Sequence, residues 1–190
     1  MPSFRFGLTA PSSLRIAALL GMALALLASS ALARPGYYST PDIHGDQIVF
    51  KAEGDLWIGT LVEGEVQAVR RITSHDGTET WPRFSPDGKW IAFTGSYDGN
   101  NDVYVMPTQG GEPRRLTWHP SRDSMVDWTP DGQHLLFWSN RLTPHGDPEM
   151  FQVPAGGGEP ERIAIGRANY LAVDPESGRW AFTRTWGGGT

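Results

Sequence analysis

Apolar and polar positions along this chain change over in short bursts, without the wide stripes of an amphipathic helix. Four apolar runs stand out: "QIVF" at 47–50, "KWIAFT" at 89–94, "HLLFW" at 134–138 and "RWAFT" at 179–183. Each has the length of a strand. Each is apolar at consecutive positions, as a strand buried on both faces requires. A turn precedes every run. In Ser85-Pro86-Asp87-Gly88 and Thr129-Pro130-Asp131-Gly132, proline presets φ at the second position and glycine suits the fourth. Asp174-Pro175-Glu176-Ser177-Gly178 is a looser version, and His44-Gly45 a shorter one.

The runs recur at a fixed period. The aromatics that close them, Phe50, Phe93, Phe137 and Phe182, are spaced by 43, 44 and 45 residues. The flanking text repeats with them. "DLWIG" at 55, "DVYVMP" at 102 and "EMFQVP" at 149 predict a third strand, and "RRIT" at 70, "RRLT" at 114 and "ERIA" at 161 a fourth. "GGEP" at 110 and 157 supplies the hairpin between them, where glycine tolerates positive φ. A period in the forties with four strands per unit predicts an all-β β-propeller. The blades fall at about 37–73, 81–117, 125–164 and 170–190, the last of them half a blade. Propellers close with about 4–8 blades. The chain therefore reads as three blades plus half of a fourth, an incomplete ring belonging to a longer protein.

Composition refines this picture in two places. Before the repeats, Arg5 and Arg15 precede an apolar run at 16–28, followed by Ala31-Leu32-Ala33. A 13-residue run is too short for a membrane span and fits a signal peptide, residues 1–33, cleaved after Ala33. The expectation is an exported, periplasmic protein without a stable membrane anchor. Removing the two leader arginines takes the net charge from −5 to −7. That balance, with Arg70-Arg71 and Arg114-Arg115 as isolated pairs, gives no basic face for nucleic acid. With no cysteine, packing and strand ladders must hold the fold.

Catalytic signals are missing from the text. There is no G-x-S-x-G, H-E-x-x-H or P-loop. Ser96 reads as a loop serine, and His44, His75, His119, His134 and His145 fall at turns and blade links. No catalytic residue and no cofactor is assigned. One loop has oxygen ligands at alternate positions, Asp98, Asn100 and Asp102, the pattern of a calcium loop. Asp102, however, matches Asp55 and Glu149 in the repeat, and Asp, Asn and Gly are also hairpin-loop residues. Trp57, Trp90, Trp138 and Trp180 are expected to pack between blades rather than to stack on a ligand.

The order of parts from "TPDIHGDQIVFKAEGDLWIG" to "RRITSHDGTETWPRFSPDGKWIAFTGSYDGNNDVYVMPTQGGEPRRLTWHP" resembles the opening propeller of bacterial tricorn-type serine peptidases, built of TolB-like repeats. The resemblance covers about residues 36–186. It implies a propeller that binds or gates peptides for a peptidase core elsewhere in the polypeptide, beyond further blades and a PDZ-like domain. It leaves room for a homo-oligomer at full length. Two alternatives share the "FSPDGKWIAF" text. One is a non-catalytic TolB-like scaffold of the periplasm, and the other the propeller of a prolyl-oligopeptidase-like enzyme.

Overall fold

The computed structural model describes residues 37–143, 148–165, 170–174 and 177–183. The predicted leader with its cleavage site, His145 and residues 184–190 lie outside them. The described residues form antiparallel sheets, each meandering in chain order. The first sheet holds β1 (Ser39–His44), β2 (Gln47–Ala52), β3 (Asp55–Val62) and β4 (Glu65–Arg71). The second holds β5 (Glu79–Phe84), β6 (Trp90–Gly95), β7 (Asp102–Pro107) and β8 (Arg114–Arg115). The third holds β9 (Asp123–Trp128), β10 (His134–Ser139), β11 (Glu149–Pro154) and β12 (Glu161–Arg162). β13 (Tyr170–Val173) and β14 (Trp180–Thr183) pair as the start of a fourth. The fold is an incomplete, unclosed propeller.

The register shows why the text repeats. Phe50 pairs with Trp57, Phe93 with Tyr104 and Phe137 with Phe151, so one cross-strand pair recurs in each complete blade. In the second and third blades these rings stack at 5.7 and 5.8 Å. Strand alternation then divides each blade between two cores. Ile91, Phe93, Tyr104 and Met106 face the first sheet, where they meet Val49, Leu56 and Ile58. Ala92, Val103 and Val105 face the third sheet, where they meet Leu135, Phe137 and Val153. A strand packed on both sides has no polar face, which is why "WIAF" lacks alternation.

The turns between first and second strands are built alike. Ser85 Oγ donates to Asp87 Oδ1, Asp87 Oδ1 also accepts Lys89 N–H, and Trp90 N–H donates back to Ser85 Oγ. Thr129, Asp131, Gln133 and His134 repeat the set. In the looser fourth turn the roles exchange, and Ser177 Oγ donates to Asp174.

Two expectations need correction. The fourth strand of the first blade does hold the arginines of "RRIT", with Ile72 N–H adding a bond to Leu56 O, but it starts earlier and runs as a seven-residue exposed ribbon, Glu65–Arg71. In the next two blades the fourth strand shrinks to Arg114–Arg115 and Glu161–Arg162, with Leu116 and Ile163 each adding one ladder bond beyond it. The tryptophans also depart from their expected role. Trp57 and Trp138 are only half-buried, and Trp90, at the turn end of β6, is 41% exposed and lines an open cleft beside Trp128 and Pro130 of the third blade. The tryptophan that does pack between blades is Trp128 on β9, which donates Nε1–H to the Arg83 carbonyl of β5.

Candidate functional site

The first strands of successive blades run beside one another, β1 by β5, β5 by β9 and β9 by β13. They form the inner wall on which the sheets converge. This wall is irregular by construction. β1 shifts register between Ser39 and Asp42, β5 between Thr80 and Arg83, and β9 opposite Leu136–Phe137. Such bulges re-aim side chains. At two of them a non-glycine residue takes positive φ, Thr40 at 49° and Trp81 at 54°. For a bulky residue this conformation costs about 1–3 kcal/mol. Trp81 is nonetheless 46% exposed.

Two clefts open along the wall. Trp81, Arg83, Met125, Val126, Trp138 and Leu171 line one of about 190 Å³. Asp42, His44, Phe84, Asp127, Pro130 and Val173 line another of about 470 Å³ toward the turns. On the smaller cleft, Arg83 donates Nε–H to Val126 O and Nη1–H to Pro82 O. Asp127 accepts its hydrogen bond from the Trp128 N–H, and Asp42 from the Phe84 N–H across the blade boundary. Burial raises the Asp127 carboxyl above its usual range. The Trp128 N–H and the Arg83 charge oppose the rise, and the Asp42 charge adds to it.

The calcium-pattern residues do come together, but around a cation of the chain itself. Arg115 donates Nη1 to Asp98 at 2.8 Å and Nη2 to Asp102 at 2.6 Å. Asn100 turns its amide nitrogen inward, donating to the carbonyls of His119 and Ser121, so it presents donors where a cation needs acceptors. The pair is the repeat feature its alignment implied. Asp55 meets Arg71 at 3.2 Å, and Glu149 meets Arg162. His75 and His119 play the same structural part, since each Nδ1 accepts the N–H two residues on, from Gly77 and Ser121. Ser96 sits in a loop, tied through its N–H to Thr78 O.

The first arginine of each pair has a role that its sequence pattern did not disclose. Arg70 donates to Thr108 O, and Arg114 donates to Ala155 O and Gly156 O. Each thus reaches into the hairpin of the next blade. Glu161 holds the corresponding place in the third blade. The signal available was the recurrence of the arginine pair at a 44-residue spacing, whose first member has no acidic neighbour to account for it.

Residues 35–187 match the tricorn protease N-terminal beta propeller domain. The chain belongs to that family. A tricorn protease homolog of Streptomyces coelicolor is 31% identical over 151 residues, covering 76% of this chain and 13% of the relative. The crystal structure of the tricorn protease superposes with a TM-score of 0.65 at 28% identity, over 78% of this chain and 15% of that one. TolB from Acinetobacter baumannii superposes at a TM-score of 0.62 with 23% identity, over 81% of this chain and 39% of that one, which shows a shared blade architecture. This tricorn-type propeller therefore spans about 13% of the length of that homolog, and it is the propeller portion of a larger multidomain type of protein.

Proposed function

We propose that this tricorn-type propeller receives peptides on its inner wall and passes them to a serine peptidase core in the same polypeptide, in an exported, periplasmic protein. One observation carries the reading. Where the first strands converge, the chain keeps Trp81 on a bulge at positive φ and leaves it 46% exposed, although folding alone would bury the ring or place glycine there. Strain retained at an exposed aromatic favours recognition over stability. The wall also joins clefts of apolar and charged side chains to backbone bent by bulges, a surface suited to extended chains. The family supports the substrate class, since the S. coelicolor relative carries the name of a protease.

The test is photo-crosslinking on the full-length protein, using peptides that carry benzoylphenylalanine. Adducts should map to β5, β9 and β13; adducts confined to the exposed outer strand β4 would refute the reading. Export has a separate test. The mature protein should begin at Arg34, and a species retaining residues 16–28 would overturn that part.

A further inference from the structure

The two clefts of the inner wall differ in chemistry, and the difference selects a peptide. The smaller one is mostly aromatic and aliphatic: Trp81 and Trp138 come from different blades, with Met125, Val126 and Leu171 beside them and Arg83 as its one charged residue. The larger one adds two carboxylates, Asp42 and Asp127, to a wall of Phe84, Pro130 and Val173. Each carboxylate has a single backbone donor among the described residues, Phe84 N–H for Asp42 and Trp128 N–H for Asp127. The nearby cation, Arg83, lines the smaller cleft, and its guanidinium is already engaged by the Val126 and Pro82 carbonyls. No lysine or arginine stands among the described residues that line the larger cleft, so its two carboxylates leave it short of positive charge. A half-buried carboxylate lacking a full set of partners gains from a cation.

We propose that the inner wall binds an extended peptide through two adjoining subsites, an apolar one between Trp81 and Trp138 for an aromatic or large aliphatic side chain, and an anionic one at Asp42 and Asp127 for a lysine or arginine side chain of the same peptide. The inference rests on the peptide-handling reading and specifies its ligand. The subsites are neighbours on the same strands. β9 lends Met125 and Val126 to the first cleft and Asp127 to the second, while β5 lends Trp81 to the first and Phe84 to the second. Side chains on one face of an extended peptide recur every second residue, about 6.6–6.8 Å apart. The matching ligand is therefore apolar-x-basic. Arg83, on the wall of the smaller cleft, sets itself against a second cation at the apolar position and so fixes which way the peptide runs.

The experiment measures fluorescence anisotropy on the full-length protein, held in a covalent serine-hydrolase inhibitor. The probes are labelled, end-capped heptapeptides with central Phe-Gly-Lys, Phe-Gly-Glu or Ser-Gly-Lys. Phe-Gly-Lys should bind about tenfold more tightly than either of the others, and its advantage over Phe-Gly-Glu should shrink with added salt. Trp81→Gly removes the ring and relieves the positive φ, so the fold is kept; it should abolish the preference for Phe and leave that for Lys. The double variant Asp42→Asn/Asp127→Asn keeps an oxygen acceptor for each backbone N–H; it should abolish the preference for Lys and leave that for Phe. Thermal midpoints check that both variants are folded. Equal binding of all three peptides by the unmodified protein overturns this assignment while the broader reading stands. No binding by any peptide overturns both.

Discussion

Gly88→Ala tests how neighbouring blades fit together. Gly88 closes the turn between β5 and β6 at φ +69°, and a Cβ built there falls 2.4 Å from His44 Cδ2 and 2.5 Å from its Nε2. Two penalties add. A left-handed conformation costs an alanine about 1–2 kcal/mol, and forcing the His44 ring aside adds about 1–3 kcal/mol of overpacking. The expected loss is therefore about 2–5 kcal/mol, the sum of those ranges. Gly132 is the internal control. It has the same role at φ +68°, but the nearest atom to its Cβ is Pro86 Cδ at 3.5 Å, an ordinary contact. Gly132→Ala should lose only the backbone part, about 1–2 kcal/mol. The assay is urea unfolding of the full-length protein, followed through amide exchange of the second-blade ladder, with His44→Ala and the double variant completing a cycle. His44→Ala should recover about 1–3 kcal/mol in the Gly88→Ala background, the coupling between the two sites. If Gly88→Ala and Gly132→Ala are equally destabilising and the cycle shows no coupling, the contact between successive turns does not hold the blades together.

Phe93→Ala and Phe137→Ala should each cost about 3–5 kcal/mol, because both rings are fully buried in equivalent places; unchanged urea midpoints would count against the equivalence. Arg114→Ala should cost about 1 kcal/mol, since its two hydrogen bonds to the next blade lie at an exposed site, and protection of the Ala155 and Gly157 amides should fall while that of β6 stays. Glu79 is buried against Thr73 Oγ1, and burial raises its carboxyl above the usual 4.5. A raised folded-state value means that its contribution to stability is full below about pH 4.5 and is lost as pH rises through the folded value. Glu79→Gln should therefore flatten the fall in stability above that point, seen in urea midpoints taken between about pH 4 and 8. An unchanged slope would place the titration elsewhere.

What could be read in the sequence is what lies within one repeat. Phe93 and Phe137 aligned correctly because the cross-strand pair around each comes from one hairpin, within about a dozen residues of chain. Asp102 was recognisable as a repeat feature for the same reason, its partner Arg115 lying 13 residues away. What joins one blade to the next left weaker traces. Arg70 meets its acceptor 38 residues on, and Arg114 meets Gly156 42 residues on, in hairpins whose carbonyls carry no side-chain signature. The tryptophans show the same limit. Their strands were legible, but whether a ring near a strand end is covered depends on what the adjoining blade sets against it, and Trp128 is buried where Trp90 lines an open cleft. The positive φ at Trp81 had a faint signal only, the Trp-Pro step that Thr40-Pro41 also carries.

The arginine that links one blade to the next gives the ring a polarity. The donor sits on the last strand of a blade, and its acceptors sit on the last hairpin of the blade that follows, from Arg70 to Thr108 and from Arg114 to Ala155. The second blade carries both parts, a socket at Thr108 and a plug in Arg114, so a copy of that unit inserted beside it meets its own kind on either side. Blade number can then drift by gene duplication without new interface chemistry. Glu161, which cannot donate to a carbonyl, ends that run of plugs and accepts instead from Gln152 of its own blade.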